Sequence, residues 1–302
     1  MQVLLLGASG LLGTNLLVRQ SSISWIPAYH SSVMNHPRAI KFDIEDTQVV
    51  DAVIAKTKPD VIVHAAGITK PDICERDPEL SYRVNVHGTA NVIAAAKRHN
   101  TRLIFLSSDL VFDGMKTEPY AEHDSVNPTT VYGIHKVAVE EMIRKELKNY
   151  VIIRSSMMYG WTPPHINGFA EWVVSSLSQG KPVMMFSDQR RNLTFVGDMA
   201  DFICQMLESS VVSTVHFASP ECKSKFDFGL EVAKVFGYDV ELVKPTSSSM
   251  LKRIASVPLL VSLDVAQATE LQRAVPNNLS NGVKQLFTQF LDDYQAQIRS
   301  WW

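Results

Sequence analysis

The chain has 302 residues, 46% of them hydrophobic, and 29 Lys and Arg stand against 31 Asp and Glu for a net charge of −2. That length buries one large core or two modest ones, and the balanced charge leaves no basic run for nucleic acid or an anionic membrane. No apolar run reaches the roughly 18 residues that cross a bilayer, residues 1–7 lack the basic start of a signal peptide, and Cys74, Cys204 and Cys222 have neither disulfide nor metal spacing, so a cytoplasmic protein with free thiols is expected.

Residues 2–6 read as a continuous apolar strand running into Gly7-Ala8-Ser9-Gly10-Leu11-Leu12-Gly13 and a helix over 11–20. In this G-x-x-G-x-x-G spacing Gly7 permits the tight turn, Gly10 lets backbone N–H groups approach a pyrophosphate, and Gly13 lets the helix pack close to the strand. The helix start adds partial positive charge where that anion would sit. Gly7, Ser9, Gly10, Leu11, Leu12 and Gly13 are therefore expected to hold a dinucleotide.

A second strand over 25–30 ends in Ala28-Tyr29-His30-Ser31-Ser32. NAD-preferring folds place a carboxylate there to bond the adenosine ribose. None is present, and His30 and Ser31 can accept a 2′-phosphate, so NADP is favoured over NAD; the plainer reading of His30 is a polar strand end. Asp43 and Ile44 follow a short strand over 39–42, where Asp43 either meets an adenine amino group or caps a helix over 47–56. A third strand over 61–66 brings Ala65, Ala66 and Gly67 to the cofactor side.

Residues 78–99 read as one long helix with Pro78 in its first turn. A strand over 103–107 ends at Ser107-Ser108, and a helix over 132–147 carries Tyr132-Gly133-Ile134-His135-Lys136. In this Y-x-x-x-K the two side chains share a helix face, about 5–6 Å apart at Cβ. An adjacent ammonium and an oxidised nicotinamide favour the phenolate, so Tyr132 can exchange a proton with a carbonyl or an alcohol. Lys136 can also bond the nicotinamide ribose, and Ser108 can orient the carbonyl oxygen. Taken singly, the pair reads as surface residues and the serine as a strand cap. The order of glycine loop, strand-end serine and Y-x-x-x-K favours a catalytic Ser108, Tyr132 and Lys136.

With a further strand over 150–154, apolar strands separated by helices predict an α/β protein: a doubly wound parallel sheet of the Rossmann kind, with ligands at the carboxyl ends of its strands. The pattern then changes. Trp161, Pro163 and Pro164 suggest a loop; helices are expected over 169–177, 195–207 and 225–235, with strands over 183–186 and 215–218 and an amphipathic tail over 279–298. Residues 1–160 are expected to form the dinucleotide-binding domain. Residues 161–302 are expected to be mainly a smaller mixed α/β substrate domain, with segments near 190–218 returning to the first sheet. Arg190-Arg191 can hold a diphosphate or stand as a solvated pair. The methionines read as core filling, His123, His135 and His165 show no metal spacing, and Trp301-Trp302 either docks a partner or packs on its own domain.

Four segments carry a more specific likeness: Ala65-Ala66-Gly67-Ile68-Thr69-Lys70-Pro71-Asp72-Ile73-Cys74-Glu75 followed by Pro78-Glu79 and Val84-Asn85; Ser107-Ser108-Asp109-Leu110-Val111-Phe112-Asp113-Gly114; Tyr132-Gly133 with Lys136 and Glu140; and Asp188-Gln189 with Thr194, Asp198 and Ala200. The chain resembles the extended short-chain dehydrogenases/reductases, and within them the dTDP-4-dehydrorhamnose reductase group, over most of its length. Met157 stands where that group has a Trp near the sugar, and Leu193 where it has a Pro. The resemblance implies NADPH-dependent reduction of a 4-keto group on a nucleotide-linked deoxysugar, as in dTDP-rhamnose biosynthesis. It puts Ser108, Asp109 and Met157 on the substrate, where Thr69 and Arg191 are expected to join them from the loops above the sheet, and it allows a homodimer. Two other readings stay open: an NADP-binding regulatory subunit resembling the β subunit of methionine adenosyltransferase, and a nucleotide-sugar epimerase or dehydratase.

Overall fold

In chain order the first half runs β1 (Gln2–Leu6), α1 (Leu11–Leu17), β2 (Ser24–Tyr29), β3 (Ile40–Lys41), α2 (Thr47–Thr57), β4 (Val61–His64), α3 (Pro71–Arg76), α4 (Pro78–Tyr82), α5 (Thr89–Arg98), β5 (Arg102–Ser108), α6 (Val131–Glu146) and β6 (Tyr150–Ser155). The second half runs β7 (Met158–Tyr159), α7 (Phe169–Ser178), β8 (Val183–Phe186), β9 (Arg190–Arg191), β10 (Thr194–Phe195), α8 (Val196–Glu208), β11 (Ser213–Phe217), β12 (Lys223–Ser224), α9 (Lys225–Phe236), β13 (Val243–Thr246), β14 (Leu260–Val261), α10 (Ala266–Gln272) and α11 (Leu279–Arg299). The structure is a computed structural model and describes residues 1–19, 22–31, 34–161, 168–251, 254–272 and 276–299. Gln20, Ser32, Pro163, Pro164, His165, Trp301 and Trp302 lie outside the described residues.

The large sheet has the order β11-β6-β5-β4-β1-β2-β3, parallel throughout. Its strands are apolar on both faces because both are covered. Val3, Leu5, Val63, Ile104 and Ile153 pack with α1 and α8, whereas Leu4, Leu6, Ile62, Phe105 and Ile152 pack with α2, α5 and α6. The strand order reverses beside β1, which opens a crevice at the carboxyl ends. Gly7 turns the chain there with φ +84°, and a Cβ on Gly13 would lie 2.4 Å from the Gly7 carbonyl oxygen, so only glycine lets α1 approach so closely.

The single helix expected over 78–99 is instead α4, a π-helical turn over Arg83–Gly88, and α5. Within the widened turn Asn85 accepts the Ile68 N–H at 2.8 Å and donates to the Ile68 carbonyl at 2.9 Å. Those long-range bonds compensate the irregular turn, and helical periodicity does not reveal them. The separate helix α3 was also not foreseen. α2 is capped by Asp46, whose Oδ1 accepts the N–H groups of Gln48 and Val49, so the cap proposed for Asp43 is corrected: Asp46 is the residue immediately before the helix.

Of residues 190–218, β11 joins the large sheet beside β6 and α8 covers it, whereas β9 pairs with β12 and β14 in a small separate sheet. The smaller lobe packs α7 and α9 on β8 and β13, with α11 against α9 and β10, around Val173, Leu177, Val183, Phe228, Val232 and Val283. No helix among the described residues is long and apolar enough to cross a membrane, and all three cysteines are free thiols.

Candidate active site

Apart from Arg190, all the residues assigned from the sequence to cofactor, catalysis or substrate line one cavity of about 890 Å³ at the carboxyl ends of the large sheet. The glycine loop forms its floor. Gly7 and Ala8 N–H groups are taken by the Ala28 carbonyl, and the Gly10 N–H by Gly7. Leu11, Leu12 and Gly13 open α1, where first-turn N–H groups have no intrahelical acceptor and are free for an anion.

His30 and Asp43 meet at the far end, with Nε2 to Oδ2 at 3.5 Å. His30 lies just past β2, one residue beyond its last paired position, and both side chains are exposed. Asp43, just past β3, thus stands beside the strand-end His30 at the same end of the cavity. Asp43 also accepts the Glu45 N–H at 2.9 Å.

Ser108 closes β5, and Tyr132 and Lys136 stand one turn apart on α6. The start of α6 is pinned twice. Thr130 Oγ1 accepts the Gly133 N–H at 3.1 Å, and Glu75 on α3 accepts the Val131 N–H at 2.8 Å. Both Tyr132 and Lys136 are buried. Burial, with help from Asp109 and Cys74, raises the Tyr132 phenol above its ordinary value, and a hydrogen bond with Ser108 pulls it the other way. Burial pushes Lys136 down to about 8, against Glu140 and Cys74, and its Nζ donates to the Leu106 carbonyl at 2.6 Å. Lys136 is not among the groups that shift the Tyr132 phenol here, its Nζ being turned to the Leu106 carbonyl. In this arrangement its ammonium sits 5.6 Å from the Tyr132 ring centroid and the phenol is held protonated, because both groups are taken out of water together.

Asp109 knits this centre to the smaller lobe. Its Oδ1 accepts from Ser108 Oγ at 3.1 Å and its Oδ2 from Ser156 Oγ at 2.8 Å, with Arg191 Nε at 3.5 Å. Arg191 is not a solvated charge. It is buried, its Nη2 donates to the Pro258 carbonyl at 2.7 Å, and its buried Nη1 has no hydrogen-bond partner among the described residues. A buried guanidinium nitrogen without a partner is costly and suits a ligand oxygen. Its neighbour Arg190 is exposed and donates to the Cys222 carbonyl.

Beneath the site, Glu140 accepts from Arg154 Nε at 3.0 Å and Nη2 at 2.7 Å, from Ser107 at 2.5 Å and from Arg144 at 2.6 Å. Burial would raise its carboxyl, but these partners outweigh it and hold the group below the usual carboxylate range. Cavity residues not assigned from the sequence include Gln189, Lys225 and Val257 from the smaller lobe, and Ile68 and Leu110 from the larger. Ile68, Leu110 and Gln189 lie inside the quoted motifs, which were a usable signal; Lys225 and Val257 lie in no motif.

A family model described as RmlD substrate binding domain matches residues 1–292. A probable low-salt glycan biosynthesis reductase of Haloferax volcanii is 30% identical over 86% of this chain and 88% of its own length. The β subunit of methionine adenosyltransferase 2 from Bos taurus is 27% identical over 97% of this chain and 89% of its own. The crystal structure of a dTDP-4-dehydrorhamnose reductase from Clostridium acetobutylicum superposes with a TM-score of 0.84 at 25% identity, covering 96% of this chain and 100% of that one.

Proposed function

Because the chain belongs to the RmlD substrate binding domain family of extended short-chain dehydrogenases, we propose that it is an NADPH-dependent reductase of a 4-keto group on a nucleotide-linked deoxysugar. The observation that carries this reading is the convergence of the glycine loop, Ser108, Tyr132, Lys136 and the unpartnered Arg191 nitrogen on one cavity. The cradle fits a dinucleotide: a Cβ on Gly7 would lie 2.7 Å from the Ala65 carbonyl carbon, and the first-turn N–H groups of α1 suit a pyrophosphate.

When bound, the nicotinamide supplies the hydride. The chain does the rest. Ser108 orients the carbonyl oxygen and Tyr132 gives it a proton. Lys136 holds the nicotinamide ribose and lends positive charge beside the phenol. Arg191 Nη1 takes an oxygen of the sugar nucleotide, while Thr69, Asp109 and Met157 flank the sugar. Cytoplasmic location and a homodimer belong to this proposal as well.

Purified protein should oxidise NADPH when given dTDP- or GDP-linked 4-keto-6-deoxyhexoses. NADPH binding with no turnover across such a panel would overturn the reading. That outcome, with a synthetase co-purifying from the native source, would favour a regulatory subunit, a reading supported by the alignment to the methionine adenosyltransferase β subunit over 97% of this chain.

Cofactor choice gives a second expected outcome. His30→Asp would set a second carboxylate beside Asp43 and repel a 2′-phosphate. An exposed like-charge contact is worth on the order of 1 kcal/mol, so the NADPH-to-NADH ratio of kcat/KM should fall about five- to tenfold. A ratio unchanged by the substitution would remove His30 from phosphate recognition.

A further inference from the structure

The cavity wall is divided in polarity at the Ser108–Tyr132 pair. On the Ser108 side stand Asp109, Ser156 and Arg191, joined by the hydrogen bonds and ion pair given above. Around the Tyr132 ring stand Leu110, Ile68 and Val257, in one apolar cluster with Cys74 and Val131. Leu110, Ile68 and Val257 all line the cavity.

Val257 reaches this place on a strap, residues 254–258, that the smaller lobe lays across the larger one. Asp72 Oδ1 accepts the N–H groups of Ile254 and Ala255, each at 3.0 Å. Thr129 Oγ1 donates to the Ser256 carbonyl at 2.8 Å, and Arg191 Nη2 donates to the Pro258 carbonyl at 2.7 Å. Three anchors on either side of one residue fix where its side chain stands.

A carbonyl oxygen addressed by both Ser108 and Tyr132 places the two neighbours of its carbon against these two walls. In a 4-keto-6-deoxyhexose, one neighbour carries a hydroxyl and the other a methyl. The hydroxyl suits Asp109 and Arg191; the methyl suits Ile68, Leu110 and Val257, none of which offers a side-chain hydrogen-bonding atom. We propose that Val257, held by the Asp72-anchored strap, is a specificity-determining residue that selects a methyl over a hydroxymethyl group beside the reacting carbonyl. The proposal rests on the reductase reading above. It assigns the orientation of the sugar as well, because exchanging the two neighbours would put a hydroxyl in the apolar wall and leave it unpaired.

The test compares kcat/KM for two 4-keto hexoses on the same nucleotide, one with a methyl and one with a hydroxymethyl at C5. An apolar pocket rejects an added hydroxyl by up to about 100-fold. Wild type should approach that preference. Val257→Thr, nearly isosteric but able to hydrogen-bond, should cut it to about tenfold or less, while Val257→Ile should retain it. NADPH affinity and the melting curve, measured on the same preparations, show that the variants fold. Turnover of the methyl sugar with a preference that V257T leaves within about twofold would overturn the role of Val257 alone. Turnover of neither sugar by wild type that binds NADPH would overturn the reductase reading and this inference with it.

Discussion

Tyr132→Phe is expected to lower kcat for NADPH-dependent reduction by about 10²- to 10⁴-fold, the usual worth of a positioned acid, with little change in NADPH affinity. The loss follows from where the phenol sits. It is buried, shares a hydrogen bond with Ser108, and is kept protonated mainly by burial, then by Asp109 and Cys74. A protonated phenol is the form a reductase needs to quench a developing alkoxide. The removed hydroxyl leaves the ring, and hence its packing on Leu110, Ile68 and Val257, in place. Lys136 adds a pH signature. Burial pushes its ammonium down to about 8, so the positive charge beside the phenol is present below that pH and lost above it. The kcat/KM of wild type should therefore fall as pH rises through about 8, and the same limb should vanish in Lys136→Met. Steady-state kinetics across this range checks both statements. A Phe variant keeping most of its kcat would remove Tyr132 from proton transfer.

Glu140→Leu is expected to cost about 3–5 kcal/mol of stability, the usual penalty for leaving a buried charge without its partner. Arg154 is 2% exposed and gives Glu140 two of its hydrogen bonds, leaving the Glu122 carbonyl and His216 as the other hydrogen-bond partners of its guanidinium. His216 cannot substitute for a carboxylate. Burial, then the charge of Arg154, pushes it down to about 4, so it is neutral near pH 7. Replacing Glu140 and Arg154 together by apolar residues should recover much of the loss, because the pair's desolvation is then avoided. Denaturant titration of the single and double variants decides this. Since the Glu140 carboxyl is held below its ordinary value, its contribution is present above the usual carboxylate range and is lost as pH falls through the lowered folded-state value. A single variant as stable as wild type would show that Arg154 finds water or another acceptor.

The carboxylates of the quoted motifs illustrate how far sequence reading reaches. Asp72, Glu75, Asp113, Glu140, Asp188 and Asp198 all stood out by pattern. In the structure they serve as tie points: Glu75 holds the start of α6, Asp113 takes hydrogen bonds from Tyr120 and Asn127, Asp188 from Ser247 and Ser248, and Asp198 from Asn277. Asp109 alone among the motif carboxylates faces the reacting centre through Ser108. A motif reports that a residue type is needed at a spacing, and the partner that makes it necessary lies elsewhere in the chain.

By itself the sequence determined the doubly wound sheet, the glycine loop, and Ser108, Tyr132 and Lys136 as one set. These depend on short-range order: apolar periodicity within a strand or helix, a turn only glycine can make, and two side chains one helical turn apart. Only the tertiary structure decided that Asp46 and not Asp43 caps α2, that the helix after β4 breaks into a π-helical turn where Asn85 binds Ile68, and that Arg191 is buried on Asp109. It alone brought Val257 into the apolar cluster of Tyr132, by tying residues 254 and 255 to Asp72 across separations of 182 and 183 residues. Contacts of that range are set by how the two lobes meet around a common cavity, and a loop with no periodicity, whose Pro258 marks only a turn, carries no local trace of them.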